Sequence, residues 1–377
     1  MTVRTASRRI HWSVVVPPVA AVLLVFTWQR SLPGVLTGVV CFFLIAAVLA
    51  AVHHAEVVAE RIGQPYGALV LAVAVTVIEV ALIVTMMVDG GEKASALARD
   101  TVFAAVMITC NGIAGVSLLL VALRRGEAFF SAEGTGTQLA TVTTLAGLSL
   151  VLPTFTTSEP GPVFTTPQLA FAALASIALY GMFVATQTVR HREEFLPVTP
   201  GGEVIDDLDD PAHRPSARTA WLALGLLMLA LVCVVGLSKG VSPAIEDGLN
   251  AAGLPRSAVG AAIALLVLLP ESIAAVREAG RDRVQTSLNL AYGSAIASIG
   301  LTIPTVAIAS IWLAGPLKLG LGESQLVLLT MTVVVGTLTV TRGRATLQQG
   351  GVHLALFAAY LVLAVLDRKS TRLNSSH

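Results

Sequence analysis

Long blocks of apolar residues, repeated along the whole chain, are the feature that most restricts how this sequence can fold. The blocks lie at residues 12–29, 34–52, 67–88, 101–123, 137–153, 168–190, 219–237, 257–277, 285–314, 324–341 and 350–366. A helix needs about 20 apolar residues to cross the hydrocarbon core of a bilayer. Only helices and closed barrels satisfy their backbone groups there. The sequence therefore predicts an all-α polytopic membrane protein with about 11 transmembrane helices. The block 285–314 can be read as one long tilted helix or as two segments broken near Pro304.

The composition supports the same class of protein. Apolar residues make up 55% of the 377 positions and charged residues only 12%, whereas a soluble domain carries about 25% charged residues. The net charge of +1 argues against a nucleic-acid partner. The cysteines, Cys41, Cys110 and Cys233, each lie inside an apolar block, which is typical of small core residues rather than of disulfides.

The distribution of basic residues predicts the orientation in the membrane, because Lys and Arg are retained in cytoplasmic loops. If the N-terminus is cytoplasmic, most of the 24 basic residues lie on that side. They are Arg4, Arg8, Arg9, Arg61, Arg124, Arg125, Arg190, Arg192, Arg214, Arg218, Arg277, Arg281, Arg283, Arg342 and Arg344. The basic start and the block 12–29 could also form a signal peptide, but no small-x-small cleavage site follows. Residues 1–33 are therefore interpreted as the N-terminus and a retained first helix.

The remaining chain divides into two similar parts. The segment 191–218 is rich in proline and glycine and carries the acidic residues Glu203, Asp206, Asp207, Asp209 and Asp210, so we interpret it as a cytoplasmic acidic linker. It separates a first repeat, 34–190, from a second repeat, 219–366. Five helices is an odd number, so the second repeat enters the membrane from the opposite side, as in many secondary transporters. Residues 367–377 are polar and are interpreted as a non-native tail.

The second helix of each repeat carries a glutamate well inside the apolar block, Glu79 in the first and Glu271 in the second. A charged side chain at the centre of a bilayer costs about 2.5–3.5 kcal/mol on insertion scales. Because no Lys or Arg lies at comparable depth, each glutamate must be protonated, bind a cation or face water. Hydrogen bonding to a neighbouring helix, as packing only, is the alternative role.

Two carboxylates that converge across a pseudo-symmetry axis would neutralise one divalent cation or two protons. A hard cation such as Ca²⁺ takes about six to eight oxygen ligands. The third helix of each repeat is rich in small and polar residues, which can also be a packing surface. The sequence therefore predicts a cation- and proton-binding site, with metal ligands Glu79 and Glu271. The supporting polar candidates are Thr76, Asn111, Asn289 and Ser294.

Two segments resemble the repeat motifs of the Ca²⁺:cation antiporter superfamily. The stretch AEVVAERIGQPYGALVLAVAVTVIE, Ala55 to Glu79, is similar to a lead-in E-x-x-A-x-x-x-G followed by G-N-A-x-E. The stretch from Leu269 to Pro304 is similar to the second motif, with a glutamate followed by G-S-x-x-Q. The resemblance implies that Glu79 and Glu271 bind the transported metal ion.

The chain also departs from these motifs. The Gly and Asn of the first G-N-A-x-E are Val75 and Thr76, those of the second are Val267 and Leu268, and the glutamine of G-S-x-x-Q is Ala297. The site therefore offers fewer amide oxygens than the calcium-selective pattern. The sequence resembles the bacterial branch that exchanges Ca²⁺, Na⁺ or K⁺ for H⁺.

The expected function is secondary-active cation/proton antiport in a bacterial inner membrane, with Ca²⁺ as cation, or Na⁺ or K⁺, and no cofactor. The substrates are inorganic cations and protons, and the bilayer is the surrounding partner; the oligomeric state stays open. A cation channel without proton coupling is one alternative. A membrane enzyme that uses the acidic segment is another, although the sequence carries no P-loop, G-x-S-x-G or H-E-x-x-H motif.

Overall fold

Ten long helices, one shorter helix and two three-residue strands are the main elements of the described part of the chain. The computed structural model describes residues 11–28, 30, 33–63, 66–90, 94–198, 215–252, 255, 257–312 and 315–366. The predicted tail 367–377, the first ten residues and the acidic cluster of the linker lie outside these ranges.

The elements follow one another in two similar series. The first is α1 (Trp12–Thr27), α2 (Gly34–Ile62), α3 (Tyr66–Gly90), α4 (Leu97–Arg125), β1 (Glu127–Phe129), α5 (Ala132–Phe155) and α6 (Thr166–Arg190). The second is α7 (Ala217–Ala252), α8 (Ser257–Gly280), α9 (Val284–Ala309), α10 (Glu323–Val340), β2 (Arg344–Thr346) and α11 (Leu347–Leu366). Ten of these helices are long and apolar enough to cross a membrane, and α1 is a shorter apolar helix of 16 residues. The predicted all-α polytopic class is confirmed.

Three predicted boundaries are wrong, because hydropathy reports depth in the membrane and not the end of a helix. α2 continues ten residues beyond the predicted end at 52 and stops at Gly63, which has a φ of 75° and donates its N–H to the Ala59 carbonyl. α7 continues past the predicted end at 237, through Pro243, to Ala252. α9 is one helix with Pro304 inside it, so the alternative of a break there is wrong; it ends at Ala309, before the predicted 314.

Helix packing follows a reciprocal pattern when α2–α6 and α7–α11 are taken as two series. The first members, α2 and α7, pack against each other. α3 packs against α9, and in the same way α8 packs against α4. The sixth helix of the chain, α6, packs on α9, and α11 packs on α4. The third members, α4 and α9, therefore lie at the centre of the bundle.

The interhelical connections show the same reciprocity. β1, which follows α4, pairs antiparallel with β2, which precedes α11. Val163, which precedes α6, forms an antiparallel bridge with Lys318, which follows α9. At the end of α4, Arg125 pairs with Asp282 in the α8–α9 turn at 2.6 Å. The guanidinium of Arg125 holds the pKa of the exposed Asp282 carboxyl below its usual value by donating a hydrogen bond.

Candidate functional site

Glu79 is a buried carboxylate in the middle of α3, with a side chain that is only 3% exposed. The hydroxyl of Ser298, on α9, lies 2.8 Å from Glu79 Oε1 and 3.0 Å from Oε2. A hydroxyl has a single proton to donate, so the two carboxylate oxygens share it. α3 and α9 are therefore joined at this depth by a charge-assisted hydrogen bond.

Glu271 lies on α8 directly after Pro270 and has a different environment. Its Oε2 atom is buried and has no hydrogen-bond partner among the described residues. Proline lacks an N–H, so the carbonyl of Leu266, four residues before it, loses its helical donor. The Glu271 carboxyl interacts electrostatically with Glu79 and with Glu56 on α2, and α8 packs against α3. The two predicted glutamates therefore lie on helices that pack against each other, within electrostatic range.

No basic side chain forms an ion pair with either glutamate in the described part of the chain. The Lys and Arg ion pairs found there involve carboxylates at or beyond helix ends, such as Asp100, Glu127, Glu278 and Asp282. Within the same ranges no group of three or more His, Cys, Asp or Glu side chains is placed to hold a metal ion.

Two of the four supporting candidates, Thr76 and Ser294, lie on the two helices that meet at Glu79. Thr76 is buried one turn before Glu79, and its hydroxyl donates to the Ala72 carbonyl at 2.8 Å, which leaves the oxygen lone pairs free. Ser294 is half-buried on α9, one turn before Ser298. Both hydroxyls are on the helices that meet at the Glu79–Ser298 hydrogen bond.

The two asparagine candidates are held in other hydrogen-bond networks. The amide of Asn289 accepts from Gln285 at 2.9 Å and donates to the Phe195 carbonyl at 2.6 Å. Along α9 it lies about 13 Å from Ser298, at 1.5 Å per residue. Asn111 is fully buried and is bonded to Thr332 and His353. Neither amide contacts Glu79 or Glu271 in the described residues.

Two hydroxyls that the structure brings forward are absent from the predicted set. Ser298 is the partner of Glu79, and Thr302, one turn further along α9, is fully buried with an Oγ1 atom that has no partner among the described residues. A spacing of four residues places Ser294, Ser298 and Thr302 on one face of α9. That spacing is visible in the sequence and could have indicated the polar face.

Comparison with known proteins agrees with this architecture. The model of the sodium/calcium exchanger protein family matches residues 18–189 and 222–366. A relative in Sinorhizobium fredii, named as an ionic transporter, y4hA, is 44% identical over 94% of this chain and 96% of its own length. The sodium-potassium/proton antiporter ChaA of Escherichia coli is 34% identical over 92% of this chain and 94% of its own.

The fold is also similar to that of a solved structure. The H⁺/Ca²⁺ exchanger CAX superposes with a TM-score of 0.71 at 17% identity, over 94% of this chain and 88% of CAX. At that identity the likeness concerns the fold. The family match excludes the alternative of a membrane enzyme that uses the acidic segment. The chain belongs to the sodium/calcium exchanger protein family, whose members are secondary transporters.

Proposed function

We propose that this protein exchanges an inorganic cation, Ca²⁺, Na⁺ or K⁺, for protons, and that Glu79 and Glu271 bind cation and protons in turn. The names of the relatives support exchange with protons, since one is a sodium-potassium/proton antiporter and a structural neighbour is an H⁺/Ca²⁺ exchanger. Thr76 lies one turn before Glu79 on α3, and Ser294 and Ser298 lie on α9, which meets α3 at the hydrogen bond between Ser298 and Glu79.

The observation that carries the proposal is the meeting of two carboxyl groups that no basic side chain neutralises in the described residues. Glu271 has a buried oxygen without a hydrogen-bond partner, and an unsatisfied buried polar atom costs about 1–3 kcal/mol. A bound proton or cation would remove that cost. A site used only for helix packing would be expected to satisfy both oxygens, because buried polar groups in native proteins nearly always have partners.

Charge balance explains how such a site would couple the two fluxes. With both carboxylates ionised and no cation bound, the site carries two negative charges, and each costs about 3 kcal/mol at mid-bilayer. One divalent cation or two protons make it neutral; one monovalent cation with one proton also does. The protein can then change access from one side of the membrane to the other at low free-energy cost only when the site is loaded and neutral. This condition gives exchange of the two ions and prevents uncoupled leak.

We further propose that the chain consists of two inverted repeats, 34–190 and 219–366, joined by the linker 191–218 in a bacterial inner membrane. The reciprocal packing of α3 with α9 and of α8 with α4 supports two equivalent halves. The arginine distribution supports a cytoplasmic N-terminus, and the relatives named above are bacterial. In this arrangement the two glutamates lie at the repeat interface.

Proton release from acid-loaded everted membrane vesicles tests the proposed function. Addition of Ca²⁺, Na⁺ or K⁺ to vesicles with the wild-type protein should release protons. Glu79→Gln and Glu271→Gln should each reduce the rate below about a tenth of wild type, since glutamine keeps the volume but cannot exchange a proton for a cation.

The matched control is Glu159→Gln, because Glu159 lies on an exposed loop and its substitution should leave the rate unchanged. A glutamine variant at either buried position that kept wild-type proton release would remove that glutamate from the mechanism. Cation uptake without any proton movement would instead indicate a channel.

A further inference from the structure

A second buried polar cluster lies away from the two glutamates, where three helices meet. It consists of Asn111 on α4, Thr332 and Thr339 on α10, and His353 on α11, and it is called here the His353 cluster. All four side chains are at most 3% exposed. Polar groups so deep in an apolar bundle are costly unless each is hydrogen-bonded, so the pattern of donors and acceptors is informative.

The hydrogen bonds of the cluster fix its orientation. The Thr332 hydroxyl donates to the Leu328 carbonyl at 2.8 Å, so it can only accept from Asn111 Nδ2, at 2.8 Å. The other amide atom, Asn111 Oδ1, therefore faces His353 Nδ1 at 3.1 Å. Because Oδ1 can only accept, His353 must carry a proton on Nδ1. His353 Nε2 lies 3.2 Å from Thr339 Oγ1, and the single proton of that hydroxyl is shared between Nε2 and the Val335 carbonyl, which lies 2.9 Å away.

The cluster is attached to an irregular turn of α4. Residues Ile108–Ile113, which include Asn111, form a π-helical turn. Such turns are rare, disturb the regular helical hydrogen-bond pattern and occur frequently at functional sites. The His353 ring also faces the main chain of Cys110, inside this turn. One side chain from α11 therefore lies against the backbone of the π turn and is hydrogen-bonded to the amide of Asn111.

The π turn connects the His353 cluster to two helices of the proposed glutamate site. It packs against α8, which carries Glu271, and against α9, which carries Ser298, the partner of Glu79. On the other side α11 approaches α4 closely: a Cβ added at Gly115 would lie 3.0 Å from the Cβ of His353. A change in the π turn would therefore move the surface on which α8 and α9 rest.

We propose that His353 is a positioning residue that holds the π turn of α4 in the shape the cation site requires. The inference rests on the proposed function of Glu79 and Glu271, but His353 itself contacts neither glutamate in the described residues. Removal of the ring leaves Asn111 Oδ1 without its partner and takes away the side chain that faces the main chain of the π turn. The turn then relaxes, and α8 and α9 lose the fixed surface against which they place the site.

The native Cys110 reports directly on the π turn. It is 1% exposed, and the variants Cys41→Ala and Cys233→Ala leave it as the single cysteine of the three in the chain. We expect a membrane-permeant maleimide to label it slowly in this background. His353→Leu should accelerate labelling about tenfold or more, because the buried Asn111 amide of the turn loses its hydrogen-bond partner. His353→Gln, which can donate to Asn111 and accept from Thr339, should stay within about threefold.

The matched control is His54→Leu. His54 is also a buried histidine, 3% exposed, but its Nε2 bonds the Ser13 carbonyl on α1. Its loss should leave Cys110 labelling unchanged. Thr339→Val, which removes the hydroxyl at His353 Nε2 without changing the side-chain volume, supplies a second test if His353→Leu fails to accumulate; it should give labelling intermediate between wild type and His353→Leu.

The second readout is the apparent cation affinity of the purified full chain, taken from the rise of Tm with Ca²⁺, Na⁺ or K⁺ concentration. This readout does not require transport, so loss of proton release in vesicles would overturn the proposed function without deciding this inference. We expect His353→Leu to weaken the affinity about tenfold, Thr339→Val to weaken it less, and His353→Gln to retain it. If Cys110 labelling or cation affinity is unchanged in His353→Leu, the proposed role of His353 is overturned. If the leucine variant does not accumulate, the same result in Thr339→Val overturns it. A wild-type chain that none of the three cations stabilises would also overturn it.

Discussion

The two glutamates occupy equivalent positions in the two helix series, but their surroundings differ. Glu79 already receives a hydrogen bond from Ser298, whereas Glu271 has a buried oxygen without a partner among the described residues. Pro270 also removes the usual helical donor of the Leu266 carbonyl, five residues before Glu271. An incoming proton or cation therefore gains most at Glu271, and Glu79 is the carboxylate that the protein itself stabilises.

This difference predicts the effect of removing the serine hydroxyl. Ser298→Ala should weaken the apparent cation affinity by roughly tenfold or more, because a hydrogen bond to a charged group contributes about 1.5–3 kcal/mol. The control is Ser287→Ala on the same helix, where the buried hydroxyl bonds Ser117 and no carboxylate. Equal affinities in the two variants, measured by cation-dependent proton release, would show that Ser298 does not support Glu79.

The glutamates could be proposed from the sequence because a carboxylate inside a long apolar block is conspicuous at any helix rotation. The predicted set contains Ser294 but not Ser298, one turn later on α9. The four-residue spacing indicates a polar face of α9, but the sequence does not show which residue of that face meets Glu79. The hydrogen bonds of Asn111 and Asn289 to other parts of the chain depend on how the helices are placed relative to one another. A sequence pattern does not contain that information.

At the scale of single elements, glycines allow the backbones of α4 and α11 to approach each other closely. A Cβ added at Gly350 would lie 2.7 Å from the backbone nitrogen of Leu119, whereas one added at Gly351 would meet nothing within 4 Å. A Cβ added at Gly112 would lie 3.3 Å from the ring of Phe357 on α11. Close approach of backbones through small residues is a common mode of helix association in membranes.

The two neighbouring glycines give a matched pair of variants. Gly350→Ala should destabilise the protein by about 1–3 kcal/mol, because the added methyl group meets backbone that cannot rotate away. Gly351→Ala should be neutral or stabilise by up to about 1 kcal/mol, since alanine favours the helix. Thermal unfolding in detergent measures the difference, and a Tm for Gly350→Ala equal to that of Gly351→Ala would contradict close packing of α11 on α4.

The presence of each helix could be predicted from the sequence, whereas the length of a helix could be predicted less well. All eleven apolar blocks correspond to helices, because the hydrophobic signal persists over a whole span. α2 extends beyond its block, since the polar residues His53, His54 and Glu56 lower hydropathy without interrupting a helix. The π turns of α4, α5 and α6 were not predicted, because hydropathy does not distinguish a π turn from a regular helical turn.

At the scale of the whole molecule, the reciprocal contacts join the two series at both ends. β1 and β2 pair after α4 and before α11, while Val163 and Lys318 pair before α6 and after α9. If successive helices alternate in direction, the end of α4 and the end of α9 lie on opposite sides of the membrane. The two pairings are then equivalent features of inverted repeats, one on each side, which agrees with the proposed repeat arrangement.

The proposed architecture, with one shared site between two halves, leads to a prediction about competition between protons and cations. If both bind the same two carboxylates, apparent cation affinity must rise with pH, because each bound cation displaces protons. For a divalent cation that needs both Glu79 and Glu271 ionised, the logarithm of affinity should rise by up to about 2 per pH unit in the range where both carry protons. For Na⁺ or K⁺, which can displace a single proton, the limit is about 1 per pH unit.

The measurement is a titration of each cation at several pH values in vesicles whose two sides are both buffered at the chosen pH. Glu159→Gln serves as the control for pH effects on the vesicles themselves, since its exposed carboxylate lies outside the proposed site. A slope that is the same for Ca²⁺ and for Na⁺ would argue that only one of the two glutamates exchanges a proton. An affinity that stays flat from mildly acidic to alkaline pH would mean that protons and cations do not share the carboxylates. In that case the paired glutamates would have to serve cation binding alone, and the coupling would lie elsewhere in the chain.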